Sequence, residues 1–228
     1  MANIREHDSW VHPKEPEEAT KKAKDLVAMS VARAGFLEPL QDIDLPVNPR
    51  ALVVGGGVAG MTCALSIANQ GHEVHLLEKD RDLGGMARRL HTTIEGMDVQ
   101  AYLSDLIGRV YKNPLIHVCH EAVIRESGGY IGNFTTVVET ENRVKQIQHG
   151  ATVIAVGAEE YKPTEYLYGE NDRLFTHMEL GGRIAEKDDT VVNAQSVVMI
   201  QCVGSRNDEH PYCSRMCCSA AVKNALRI

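Results

Sequence analysis

The sequence is poor in aromatic residues and has no long apolar run. Phenylalanine, tyrosine and tryptophan make up 5% of the 228 residues, which disfavours a stacking surface for single-stranded nucleic acid. There are 24 basic and 31 acidic residues, and the net charge of −7 argues against nucleic acid or an anionic membrane as the main partner. No stretch approaches the ~20 apolar residues of a membrane span, and the N-terminus shows no signal-peptide core. We therefore expect a cytoplasmic protein that has no membrane span and binds no nucleic acid.

Motifs of histidine-based metal sites and of hydrolases are missing as well. The ten histidines show neither H-x-x-H nor H-E-x-x-H spacing, so we assign none of them to a metal. The Gly-Ser-Arg run at residues 204–206 lacks the pattern of a nucleophile elbow. We therefore name no catalytic acid, base or nucleophile and expect any chemistry to come from cofactors.

A glycine-rich turn is the most informative stretch that is present. The apolar residues 51–54 predict a buried strand, which runs directly into G-x-G-x-x-G at Gly55, Gly57 and Gly60 and then into a helical pattern. In dinucleotide-binding folds the first glycine permits the tight turn, the second lets the pyrophosphate approach the backbone, and the third lets the helix pack closely. The free N–H groups at the helix N-terminus would attract the phosphates.

An acidic residue and a glycine pair follow this turn. A second predicted strand, at residues 73–78, closes on Glu78, where a carboxylate would hydrogen-bond a ribose hydroxyl. Lys79 comes next, and the pair Gly84-Gly85 then offers backbone without Cβ that could lie against a cofactor; its alternative is a flexible loop. The whole pattern favours dinucleotide binding over a glycine loop of an ordinary α/β domain.

The rest of the chain alternates between helical and β-like periodicity. Apolar spacing predicts helices at 17–34 and 97–111, and two prolines indicate a linker at 41–49. The segments 116–125, 130–140 and 142–148 read as a three-stranded meander with a turn at Gly128-Gly129, and the compact strand 151–157 would return the chain to a parallel sheet.

Four of the six cysteines lie close together near the C-terminal end. Their spacing is C-x10-C-x3-C-C, after a predicted strand at 196–201 and before a helix at 219–227. Four thiolates could hold a [4Fe–4S] cluster; zinc, a catalytic dithiol and inert thiols are the alternatives, and adjacent cysteines suit zinc badly. Arg206 and Arg215, together with N–H groups at the helix N-terminus, would lower the pKa of the thiols. The four cysteines are Cys202, Cys213, Cys217 and Cys218.

The order of elements resembles the FAD-binding domain of the two-dinucleotide-binding flavoproteins, the thioredoxin reductase and glutathione reductase group. The resemblance covers residues 50–158. It implies a backbone contact to adenine near Val123, and the Ala-Thr-Gly of that family stands here as Ala155-Val156-Gly157, with the middle residue changed. The residues that the resemblance assigns to FAD are Gly55, Gly57, Gly60, Glu78, Lys79, Gly84, Gly85, Val123 and Gly157.

The cysteine stretch is similar to that of the A subunit of heterodisulfide reductase. The matching runs are residues 199–206 and 212–219, together with 3–12 and 22–40. The resemblance implies FAD and iron–sulfur clusters, with the four clustered cysteines together ligating one of them. It also implies partners: other subunits of the complex that reduce disulfides, a hydrogenase or dehydrogenase donor, and ferredoxin.

Three features depart from that family. Asp8 stands where we expect relatives to have a cysteine, no ferredoxin-like C-x2-C-x2-C-x3-C run occurs, and the chain ends at Ile228 after one strand of a second unit. We therefore expect a fragment or a short member that lacks the additional clusters.

These patterns predict an α/β fold in which a Rossmann-like FAD-binding domain, a parallel sheet with a three-stranded meander, is joined to an incomplete second α/β unit. The expected division is 1–48 (helix and linker), 49–158 (FAD domain) and 159–228 (cysteine unit). The expected function is FAD-dependent electron transfer to an iron–sulfur cluster. The alternatives are a thioredoxin-reductase-like flavoprotein in which Cys213 and Cys217 cycle as a dithiol, and a non-catalytic scaffold that has lost its cofactors.

Overall fold

The computed structural model describes residues 1–40, 42, 44–141 and 143–228. It divides into two compact units, Met1–Leu45 and Pro46–Ile228. The predicted linker and the third predicted meander strand fall partly on Gln41, Ile43 and Asn142, which lie outside the described residues. The expected domain boundaries at residues 48 and 158 stay a prediction.

The first unit is helical. A π-helical turn, Arg5–Ser9, precedes helix α1, Pro16–Ala34, which agrees with the helix predicted at 17–34. Pro16 stands in the first turn, where its missing N–H has no helical partner to lose, and two acids in that turn complement the helix dipole.

A four-stranded parallel sheet forms the centre of the second unit. Its strand order is β3-β2-β1-β7, the arrangement of a Rossmann-like half. The strands are short and consist mainly of apolar residues, as expected where both faces of a sheet are covered. Their bounds are β1 Ala51–Val54, β2 Val74–Leu77, β3 Ile116–Cys119 and β7 Ala151–Ile154.

Two layers cover this sheet. Helices α2 (Val58–Ala68) and α3 (Val99–Lys112) pack on the face that carries Val53 and Leu76. The opposite face carries Leu52 and Leu77, which pack against two buried residues of the meander, Val138 and Ile147. The predicted class, a parallel sheet with a three-stranded meander, is confirmed.

The meander begins later than the sequence suggested. Residues 116–119 form β3, which pairs in parallel with β2, and the antiparallel meander is β4 (Val123–Tyr130), β5 (Asn133–Thr140) and β6 (Arg143–His149). The pair Gly128-Gly129 lies inside β4 instead of forming its turn. Gly129 has φ +111°, and a Cβ there would overlap the backbone of β5, so the glycine is needed for close strand approach.

The last part of the second unit is helical and irregular. It contains α4 (His177–Glu186), the short α5 (Asp189–Val192) and α6 (Cys217–Ala225). The strand predicted at 196–201 was wrong: in the described part of the chain every strand belongs to the sheet or the meander, and this segment has no strand beside it. An apolar run needs a hydrogen-bonded neighbour to become a strand.

Candidate functional site

The glycine-rich turn lies at the carboxyl edge of the parallel sheet, where ligands bind in open α/β folds. Gly55 has φ +109°, and a Cβ there would overlap the carbonyl of Ala155 at the end of β7. A Cβ on Gly60 would overlap the carbonyl oxygen of Gly55. These two glycines are therefore required for packing of the turn between β1, α2 and β7.

Gly57 differs from these two glycines. It precedes α2 with φ −73° and ψ −178°, which any residue can adopt, and a Cβ built on it meets no protein atom within 4 Å. Among the described residues no side chain caps the helix at this position, so the first N–H groups of α2 are left without a capping side chain. This is the geometry that a close-approaching phosphate group requires.

Glu78 is buried beside the glycine-rich turn. Its side chain is held by two backbone donors: the N–H of Gly56 lies 2.7 Å from Oε2, and the N–H of Asp80 lies 2.9 Å from Oε1. The residue is 5% exposed. Its carbonyl oxygen accepts a hydrogen bond from the N–H of Ala122 at 2.9 Å, which brings Val123 and the start of β4 next to this acid.

The glycine pair that the sequence singled out also lies against the turn. The N–H of Gly84 donates to the carbonyl oxygen of Gly56 at 2.8 Å, and Gly84 pairs with Gly57 in an isolated β-bridge. A Cβ on Gly85 would lie 3.4 Å from the Cα of Gly57. The two segments thus run side by side with no side chain between them.

Gly157 and Lys79 complete this edge of the sheet. Gly157 follows β7 with φ +68° and has no protein atom within 4 Å of the position of a Cβ. The Nζ of Lys79 lies 2.9 Å from a carboxylate oxygen of Glu159. The residues that the sequence assigned to a dinucleotide therefore lie on segments that contact one another, and the backbone that would face the ligand is open at Gly57 and Gly157. The arrangement fits a dinucleotide.

The four clustered cysteines lie on one loop and at the start of α6. Cys202 adopts φ +61°, and the backbone N–H of Arg215 lies 3.4 Å from the sulfur of Cys213. A hydrogen bond from the backbone N–H of Cys202 lowers the pKa of the Cys217 thiol, and the hydroxyl of Ser214 acts in the same direction against the opposing effect of burial. The charge of Cys217 raises the pKa of Cys218.

The sequence predicted that Arg206 and Arg215, together with N–H groups at the helix N-terminus, lower the pKa of the thiols. At Cys217 backbone N–H groups and the hydroxyl of Ser214 lower the pKa, and neither arginine contributes. Within the described ranges, no group of three or more His, Cys, Asp or Glu side chains has a metal-binding arrangement. The donor set itself suits a soft metal, because thiolates that accept N–H hydrogen bonds are the usual ligands of iron–sulfur clusters.

A segment that links these two regions, residues Glu159–Lys162, is here called the strap, and no sequence signal points to it. Glu160 lies 2.7 Å from Arg89, and Lys162 lies 2.6 Å from Glu179 of α4. The ring of Tyr161 covers Gly204, where a Cβ would overlap it. Four consecutive polar residues after a strand show no periodicity, so only the tertiary contacts reveal the strap.

A family model described as an NAD(P)-binding Rossmann-like domain matches residues 53–113. The chain is 32% identical to the second iron-sulfur A subunit of CoB–CoM heterodisulfide reductase from Methanopyrus kandleri, over 100% of this chain and 49% of that protein. It is 31% identical to the A subunit of the H(2):CoB-CoM heterodisulfide,ferredoxin reductase of Methanothermobacter marburgensis, over 100% of this chain and 48% of that protein.

A third relative matches a shorter region. A protein of Archaeoglobus profundus described as similar to the heterodisulfide reductase A subunit is 40% identical over 139 residues, which cover 60% of this chain and 20% of that protein. The chain spans about half the length of the first two relatives, and their matches extend over 320 positions against 228 residues here, so the relatives carry residues inside the matched region that have no counterpart in this chain.

No described helix is both long and apolar enough to cross a membrane. The dinucleotide-type geometry of the carboxyl edge agrees with the Rossmann-like match at residues 53–113. Over the whole of its length the chain is thus similar to the archaeal A subunits of heterodisulfide reductases, of whose length it covers about half.

Proposed function

We propose that this chain is an FAD-dependent oxidoreductase subunit that transfers electrons between flavin and a [4Fe–4S] cluster. The observation that carries the proposal is the presence, in one compact unit, of an open glycine-rich edge and of four cysteines gathered on one loop and helix start. When bound, FAD would exchange electron pairs and the cluster single electrons.

At the flavin site the chain would act mainly through its backbone. Gly57 and the N-terminus of α2 would bind the pyrophosphate, and Glu78, already held by two N–H groups, would accept hydrogen bonds from the ribose. Gly84-Gly85 and Gly157 would leave room for the ribityl chain and the ring, and the backbone at Val123 would contact adenine. Lys79 would add positive charge near the phosphates.

At the cluster site the thiolates would be the ligands. The four ligands would be Cys202, Cys213, Cys217 and Cys218. The N–H groups of Cys202 and Arg215, which already face sulfur atoms, would stabilise the negative charge of a cluster. The relatives' names describe heterodisulfide and ferredoxin reductases; we extend this to partners of the present chain, namely the other subunits of such a complex, a hydrogenase or dehydrogenase donor, and ferredoxin.

One observation favours a second function. The pKa of Cys217 is lowered, whereas that of its neighbour Cys218 is raised. In dithiol enzymes one thiolate attacks while a second thiol of higher pKa resolves the mixed disulfide. A flavoprotein of this kind would reduce disulfides through two of the cysteines and would contain FAD without iron.

Retention of FAD tests the flavin part of the proposal. The full chain is incubated with FAD or, as the competing dinucleotide, with NAD, passed through a desalting column, and the released nucleotide is quantified. We expect a stoichiometric amount of FAD and little NAD, because the site is built for a tightly held cofactor. Loss of all FAD on the column, or preferential retention of NAD, would contradict the assignment.

A further inference from the structure

Each residue of the strap, Glu159–Lys162, contacts a different part of the second unit. It begins two residues after Gly157, at the proposed flavin site, and its four side chains reach the sheet edge and the helices near the cysteines. The strap is therefore a short direct connection between the two proposed cofactor sites.

Two ion pairs join the strap to the dinucleotide edge. Glu159 lies 2.9 Å from Lys79, which directly follows the ribose-binding acid. Glu160, whose side chain is 13% exposed, lies 2.7 Å from Arg89, the last residue of the 3₁₀ helix that begins at Gly85. Because Glu160 is largely shielded from water, its pair with Arg89 is worth more than an exposed one.

The other two residues join the strap to the cysteine loop, residues 202–216, and to helix α4. Tyr161 packs on Gly204, two residues after Cys202. Lys162 lies 2.6 Å from Glu179 in the first turn of α4.

Helix α4 in turn contacts residues on both sides of the clustered cysteines. The Nε2 of His177 lies 3.2 Å from the side-chain oxygen of Gln201, next to Cys202, and the buried amide of Asn224 on α6 donates to the carbonyl oxygen of His177 at 2.9 Å. A displacement of the strap would thus reach both the loop of Cys202 and the helix of Cys217.

We propose that the strap couples the two sites, so that occupancy of the dinucleotide edge restrains the cysteine loop. Glu160 and Lys162 are then positioning residues for the cysteine loop. The inference rests on the proposed function only in taking FAD as the dinucleotide. A ligand that orders Gly157 and Lys79 also orders the strap, and ordering of a shared segment couples two sites without a change of shape. Such coupling is reciprocal.

The test is alkylation of the cysteines with iodoacetamide, followed for each cysteine by mass spectrometry with and without saturating FAD. The full chain is used, purified without added iron. We expect FAD to slow alkylation of the four clustered cysteines by about fivefold or more, the lower end of usual coupling between sites. Because coupling between binding sites is reciprocal, an alkylated loop that cannot adopt the restrained arrangement should also weaken FAD binding.

The double variant Glu160→Gln/Lys162→Met removes two ion pairs of the strap: the pair of Glu160 with Arg89 and the pair of Lys162 with Glu179. We expect the FAD-dependent slowing to disappear in it. The control is Glu165→Gln, the same glutamate change three residues beyond the strap, where the carboxylate accepts from the N–H of Thr164; it should behave as the wild type. The ratio of rates with and without FAD is taken within each protein, at FAD concentrations that saturate that protein, so a weaker FAD affinity alone does not change it.

The outcomes separate the coupling from the function on which it rests. Equal alkylation rates in a wild type that binds FAD, or unchanged FAD affinity after alkylation, would overturn the coupling and leave the flavin site intact. Full slowing in the double variant would overturn the role of the strap. If the wild type binds no FAD, the proposed function fails and the coupling fails with it. If the double variant does not fold, the FAD affinity of the alkylated wild type tests the coupling instead.

Discussion

Replacement of Gly57 by alanine is expected to weaken FAD binding by about ten- to hundredfold, since forcing one added methyl group into a filled contact costs roughly 1–3 kcal/mol. The wild-type backbone at Gly57 is open, with no protein atom within 4 Å of a Cβ, and its φ of −73° suits alanine. The new methyl group would therefore occupy the space of the pyrophosphate without disturbing the protein. The free energy of unfolding should change by no more than about 1 kcal/mol, the usual loss at a helix N-cap.

Gly108→Ala is the matched control for this variant. Gly108 lies inside α3, and a Cβ there also meets no protein atom within 4 Å. Alanine should stabilise the helix by about 0.5–1 kcal/mol and leave FAD affinity unchanged. Flavin fluorescence titration and chemical unfolding measure both quantities. Wild-type affinity in Gly57→Ala would show that the phosphates do not pass this residue.

Replacement of Cys217 by serine should remove most of the iron from protein prepared or reconstituted without oxygen. Cys217 begins α6, and the N–H of Cys202 and the hydroxyl of Ser214 lower the pKa of its thiol, which favours the thiolate form that a cluster ligand requires. A serine hydroxyl is a harder and far less acidic ligand, so it replaces a thiolate poorly at an iron–sulfur centre. FAD should still be retained, because Cys217 lies outside the glycine-rich edge and the coupling through the strap changes FAD affinity by only about fivefold.

Cys63→Ser provides the comparison. Cys63 is a free cysteine of intermediate exposure on α2, as Cys217 is on α6, and it has no place in the cluster. Iron and sulfide per chain should equal those of the wild type. Equal iron loss in both variants would indicate general instability, and full iron in Cys217→Ser would remove this cysteine from the ligand set.

The local parts of the fold could be predicted from the sequence because they depend on neighbours along the chain. Residues within a single turn or strand determine each of four features: the strand at 51–54, the glycine turn, the acid Glu78 and helix α1. The packing role of Gly60 also follows from its spacing alone. The resemblance to flavoproteins then supplied the role of Gly84-Gly85, and the structure brings that pair against Gly57.

The parts that were predicted wrongly depend on distant partners. The residue types at 116–119 suit either the parallel sheet or the meander. Only the pairing with Val74–Leu77 places this segment in the parallel sheet. Residues 196–201 are as apolar as residues 116–119, but in the described part of the chain no strand lies beside them. The hydrogen bonds to Cys217 and the contacts of the strap join residues far apart in sequence, so neither spacing nor composition could reveal them.

The most direct test of the electron-transfer account is a cofactor analysis of the full chain prepared without oxygen. Acid-released flavin, iron and acid-labile sulfide are measured on one sample, together with its absorbance spectrum. The account predicts a stoichiometric amount of FAD with about four iron and four sulfide per chain, the composition of a [4Fe–4S] centre. FAD without iron would contradict it and favour the dithiol flavoprotein, and a colourless protein that takes up neither cofactor would contradict both.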